Sequence, residues 1–291
     1  MKSRFMKQLP AALGAVIAAF LLCPAQAQEG LIDTHIHLHH WEASLAEYRA
    51  GAAKAQLDPT TMGIMWFGGP NQALQGDIAQ DRINNDRLMA LAATDPKLLP
   101  IVTVHPYDGD AALAELQRVA AKGAKVLKIH PHTQKFDPAD PRVLSLVKRA
   151  GELGLIVLMD NASIIPGDCE KLFNLALEAP KTTFIFAHLG ALNFRFWNIL
   201  AAARTADGLF ANNIYFDVSA TVVLIADSPI KNEFVWTMRN VGMDHLILGS
   251  DFPQYSLAQN VRALDRLGLS AKDKAAIRYR NAQTLFHLGR P

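Results

Sequence analysis

The stretch LIDTHIHLHH, Leu31 to His40, holds four of the chain's ten histidines. Imidazole is the side chain that binds divalent metals as a neutral ligand and exchanges protons near neutral pH. His35 and His37 stand two apart in a strand-length apolar run, and residues at that spacing share one face of a strand. Two neutral nitrogens aimed at one point make a partial ligand set for zinc or another divalent ion. Asp33 has the same parity one layer deeper, where it would support a ligand. His39 and His40 lie beyond the run and read as loop. Other chemistry-bearing residues close later runs: Lys128 and His130 in VLKIHP, His188 in FIFAHLG and Asp251 in LILGSDFP. A lysine inside VLKIHP is costly to bury unless paired or modified. Each alone has a bland explanation, such as a satisfied core histidine or a helix-capping turn. Their recurrence at matching positions of a repeating layout points to one site.

The elements that must position them are the runs themselves: LIDTHIH, MGIMWF, LLPIVTV, AKVLKIH, LIVLMD, TTFIFAH, NIYFDVS and HLILGSD. Several are apolar on consecutive residues, as strands covered on both faces require. Helix-length amphipathic segments separate them. Ala111–Ala121 repeats at helical spacing and stops before Gly123, and Val143–Leu153 does so before Gly154, opened by Asp140-Pro141. Eight strand–helix units with right-handed crossovers predict an α/β fold, a single-domain (β/α)₈ TIM barrel. A doubly wound open sheet would want a Gly-rich loop after the first strand, and none is present. The terminal stretch SAKDKAAIRYRNAQTLFHL predicts one extra, partly polar helix packed on the outside.

Residues 1–27 have the layout of a signal peptide: Lys2, Arg4 and Lys7, then an apolar run, then Ala25-Gln26-Ala27. That run is short for a bilayer span, so a retained anchor is the weaker reading. Cys23 follows Leu22, where a lipoprotein signal wants a small residue. The expectation is an exported, periplasmic or secreted chain with one domain over residues 28–291 and no stable membrane anchor after processing. Without the leader Cys169 is the sole cysteine, so stability rests on a core rather than a disulfide. Twenty-nine Lys and Arg against 27 Asp and Glu, a net charge of +2, argue against a nucleic-acid or acidic-membrane surface. The expected partner is a small-molecule substrate, with a homo-oligomer left open.

The segments IDTHIHLH, KVLKIHP, FIFAHLG and ILGSDFP, in this order, resemble those of the amidohydrolase superfamily, most of all the amidohydrolase-related (amidohydrolase 2) family. The likeness runs from about Leu31 to His287. It implies a metal-dependent barrel hydrolase in which His35, His37 and Asp251 hold metal and His188 binds metal or assists catalysis. One departure stands out. The family ends its fifth strand with a metal-binding histidine, in a pattern like VLIHTG, whereas this chain has VLMDNAS, with Asp160 at that position. Asp160 is either a substitute oxygen ligand, favouring manganese or iron over zinc, or the partner of Lys128 in a buried ion pair. In binuclear members a strand-four lysine is carboxylated and bridges two metals, a role for which Lys128 is placed. An unmodified lysine reaching toward Asp160 or Asp251 is the alternative.

The resemblance thus implies one or two divalent ions, zinc first, with water activated toward a pKa of about 7. Asp251 would accept its proton, and His188 would polarise the carbonyl oxygen or protonate the leaving group. The expected bond is an ester, lactone or amide. A non-oxidative decarboxylase of the same family is a rival reading; others are a Schiff-base lyase on Lys128 and a non-catalytic exported binding protein. His130, His132, Gln134, Trp66-Phe67 and Arg195 are candidates to touch substrate. His105, His245 and His287 read as structural.

Overall fold

The computed structural model describes residues 30–289; the expected leader, residues 1–27, lies outside them. Eight parallel strands pair in chain order: β1 Ile32–His37, β2 Thr61–Met65, β3 Leu98–Val102, β4 Val126–Ile129, β5 Ile156–Met159, β6 Phe184–Phe186, β7 Ile214–Asp217 and β8 Leu246–Ile247. Past the short β8 the chain runs on beside β1. Leu248 O accepts from Thr34 N at 3.1 Å, Asp251 N donates to His35 O at 2.9 Å, and Phe252 O accepts from His37 N at 2.8 Å. The barrel is thereby nearly closed, and it closes where His35, His37 and Asp251 sit. Among the described residues no helix is long and apolar enough to cross a membrane.

The consecutive apolar residues of each strand divide between two cores. Ile64, Val102, Leu127, Ile129, Val157, Met159, Phe184, Phe186, Phe216 and Leu246 pack in the layer between sheet and helices. Met65, Leu99, Ile101, Val126, Leu158, Ile185 and Ile247 fill the barrel itself. The alternation carries forward from Val126, Leu158 and Ile247 to Lys128, Asp160 and Asp251, which sit an even number of residues later. This is how a period-two strand delivers its polar end to the mouth.

Two expectations are corrected. Asp33 does not share the facing of His35. Asp33 pairs with Met62 and Ile36 with Ile64, three residues of β1 against two of β2, so a bulge reverses the parity between them. Gly63 makes room for it, since a Cβ there would stand 2.8 Å from Thr34 O. Asp33 instead ties backbone together, accepting from His35 N, Ser250 N and Tyr48 Oη at 3.1, 2.8 and 2.8 Å.

The C-terminal stretch is not one helix on the outside. It forms Ala271–Ala275, a π-helical turn Ala276–Arg280 and Asn281–Leu285. Ala282 and Phe286 are buried against Ile32, Leu99, Val126 and Ile247, the inward residues of the strands' N-terminal ends. An apolar barrel interior needs a floor, and these side chains provide it.

Candidate active site and metal centre

Each site residue is positioned by the end of a strand. His35 and His37 close β1; Lys128 lies in β4 and His130 directly follows it, Asp160 follows β5, His188 follows β6, Asp217 closes β7, and Asp251 follows β8. His188 and Asp251 adopt φ of 66° and 61°. Left-handed backbone is unfavourable for such side chains and concentrates at functional sites. In the run His188–Ala191 every φ is positive, which swings the chain sharply off β6.

The rings of His35 and His37 are fixed from behind. His35 Nδ1–H donates to Asp217 Oδ2 at 2.9 Å, and His37 Nδ1–H donates to Phe67 O at 2.6 Å. Because carboxylate and carbonyl oxygens only accept, both Nδ1 atoms carry the proton, so each ring in its neutral form presents an Nε2 lone pair. Those two Nε2 atoms are 3.1 Å apart, and Asp251 Oδ1 lies 3.5 and 3.4 Å from them. Three acceptors converge with no donor among them, an arrangement that calls for a cation. Ligand atoms about 2.0–2.1 Å from a tetrahedral zinc stand about 3.3–3.4 Å apart, so the spacing fits. Burial and the nearby Lys128 push the pKa of His35 down to about 4, which keeps it a neutral ligand. Burial by itself would raise Asp251, but His37, His35 and His188 hold it below the usual carboxylate range.

A second group lies beside the first. His188 stacks on His35 with ring centroids 5.2 Å apart. Its Nδ1 lies 3.0 Å from Ser219 Oγ, and its Nε2 lies 3.3 Å from Asp160 Oδ1. Burial would lower His188, yet its bond to Asp160 and the charges of Asp251 and Asp217 push it up to about 9. Asp160 also faces His130 Nε2 at 3.4 Å. Opposed by burial, the charge on His130, the bond to His188 and the charge on Lys128 hold Asp160 ionised. Asp160 therefore stands between His188 and His130 rather than within the three-atom set of His35, His37 and Asp251.

Lys128 is buried and lines the cavity. Burial lowers its pKa, while Asp160, Asp217 and Asp251 oppose that shift. The expected ion pair of Lys128 with Asp160 or Asp251 is not made at contact distance.

His35, His37, Lys128, Asp160, His188 and Asp251 line a cavity of about 330 Å³ with Ile164, Leu224 and Gln254 among its other walls. Several sequence candidates are not brought to it. Arg195 points away and pairs with Glu233 at 2.5 Å, both half-exposed. His132 is exposed on the short turn Pro131–Gln134, its ring 6.3 Å from that of His130. Gln134 is buried and braces the same turn, accepting from His130 N at 2.8 Å and donating to Val104 O at 3.1 Å. Trp66 is buried against Asn85, and Phe67 serves through its carbonyl. His39 does line the cavity. His105 is structural: its Nε2–H donates to Gln134 O at 2.7 Å.

Asp217 is the residue that reasoning from the sequence missed. It is fully buried and also accepts from His188 N at 3.1 Å, Ser219 N at 3.0 Å and Ser219 Oγ. Its signal was visible, an acid closing the apolar run NIYFD at the same position as the other strand ends.

A family profile described as Amidohydrolase matches residues 32–288. The chain belongs to the amidohydrolase family. A search of curated proteins finds no match. Among solved structures, this amidohydrolase-family chain is similar to 5-carboxyvanillate decarboxylase of Sphingomonas paucimobilis. That pair is 16% identical with a TM-score of 0.67 over 90% of this chain and 100% of the other. It is also similar to a dihydroxybenzoic acid decarboxylase of Polaromonas sp. JS666 that holds manganese and 2-nitroresorcinol (14%, 0.63, 90% and 98%). A third is a Pseudomonas putida structure named for a proposed 2-pyrone-4,6-dicarboxylic acid hydrolase (19%, 0.62, 90% and 99%). At these identities the likeness shows the fold. The family is metal-dependent, and the donor set of this member fits a metal ion.

Proposed function

We propose that this chain is a metal-dependent hydrolase that cleaves an ester, lactone or amide of a small molecule, with zinc held by His35, His37 and Asp251. The observation that carries the reading is the convergence of three acceptor atoms at 3.1–3.5 Å with both rings locked as Nε2 acceptors. A bound ion supplies Lewis acidity, polarising a carbonyl and lowering the pKa of water toward about 7. Asp251, ionised and lining the cavity, takes the proton of the attacking water. His188, kept protonated by Asp160, donates to the leaving group or to the carbonyl oxygen. Ser219 Oγ bonds that imidazole, and Asp217 holds the backbone that carries it. Asp160 keeps the proton on His188 and so is a positioning residue.

The decarboxylase reading draws on the named solved structures. Against it stands the carboxylate of Asp160, which adds negative charge where an acid substrate would bind. Metal analysis of protein purified without chelator, followed by an ester, lactone and amide panel in ¹⁸O-water, tests the proposal. One zinc per chain and label in the new carboxylate are expected. Carbon dioxide release from aryl acids without label would select the decarboxylase. A protein that takes up no metal would be left with a binding role. A second equivalent of metal would favour a carboxylated Lys128 as the bridge, which mass spectrometry of the intact protein tests. We also propose export with cleavage after Ala27, which N-terminal sequencing of secreted protein tests.

A further inference from the structure

The lining of the cavity is part polar and part apolar. The segments that follow β1 and β8 bring polar His39 and Gln254 to the cavity, and those that follow β5, β6 and β7 bring Ile164, Ala191 and Leu224, the last from the short helix Thr221–Ile225. Ile164 is 64% and Leu224 52% exposed, although each is also part of the cavity wall. These two large apolar side chains, with Ala191 beside them in the lining, are open to water and continuous with the reactive centre, and form a surface that an apolar body would cover. Charge points the same way. Among the described residues the lining holds no arginine and a single lysine, Lys128. Lys128 is buried, and His188, the other cation of the lining, already faces Asp160 at 3.3 Å. A second acidic group that reached the wall of Ile164 and Leu224 would find no lysine or arginine there to receive it.

We infer that Ile164 and Leu224 determine specificity, selecting a substrate with an uncharged aryl or alkyl body beyond the reactive carbonyl. This inference rests on the metal-centre reading above. It separates this site from one built for dicarboxylates, which would want a cation at the mouth.

The test uses zinc-loaded full-length protein and three probes measured calorimetrically: acetohydroxamate, benzohydroxamate and 4-carboxybenzohydroxamate. The aryl face should make benzohydroxamate bind about tenfold tighter than acetohydroxamate. The carboxylated analogue should lose that advantage. Ile164→Asp and Leu224→Asp, both at exposed positions, should each reduce the preference severalfold with zinc content unchanged. Leu224→Ser, the milder change, should reduce it in the same direction. Equal binding of the neutral and carboxylated aryl probes, or variants that keep the preference, overturns this inference while the metal reading stands. Failure of zinc and all three probes to bind overturns both.

Discussion

Asp217 and His35, 182 residues apart in the chain, meet at 2.9 Å between Oδ2 and Nδ1 with both side chains buried. The same carboxylate accepts from the backbone of His188. One residue at the end of β7 therefore sets the tautomer of a proposed metal ligand and the seat of the proposed acid.

Asp217→Asn keeps the shape and an acceptor oxygen but removes the charge behind His35. Zinc affinity should fall about 10–100-fold, the usual consequence of losing such a support, with far-UV circular dichroism unchanged. Competition with a chromophoric chelator measures it. Wild-type affinity would remove Asp217 from this role.

Gly68 adopts φ +125°, and a Cβ there would lie 2.3 Å from His37 Nδ1. Gly68→Ala should displace the His37 ring from Phe67 O and weaken zinc binding at least as much as Asp217→Asn. A destabilisation of about 1 kcal/mol should accompany it. Chelator competition beside urea denaturation separates the two effects.

Asp251→Asn should leave the barrel folded and lower turnover by about 10²–10⁴-fold, the typical contribution of a positioned base. Metal content measured on the same sample distinguishes a lost base from a lost ligand. Turnover near wild type with zinc bound would exclude Asp251 from proton transfer.

Away from the site, burial and the charges of Asp108, Asp77 and Glu115 push Asp81 up to about 8. An acid whose folded pKa exceeds its unfolded value binds more protons when folded. Its stabilising effect is complete below pH 4 and is lost as pH rises toward 8. Thermal melts should therefore show wild type losing several degrees relative to Asp81→Asn across that window, with the two converging in acid. Parallel curves would mean that Asp81 is ionised throughout.

Much of the barrel was legible before any coordinates. Runs apolar on consecutive residues mean strands covered on both faces, and eight of them alternating with helices leave few topologies. The HxH pair was equally legible, because strand period alone puts His35 and His37 on one side. The facing of Asp33 was not, since a bulge is a property of how β1 pairs with β2. Nor was the place of the C-terminal stretch: a half-polar helix suits the outside or the floor of a barrel, and only the open end left by the strands chooses. Arg195 shows the same limit, for its charge found Glu233 on another helix.

Local chemistry along the chain thus specified which side chains end the strands and which way a regular strand would turn them. Distances across the barrel were decided by closure, which brings Asp251 beside β1 and Asp217 behind His35. Those contacts span some two hundred residues, and no local pattern encodes a separation that exists only once eight strands have curled into a ring.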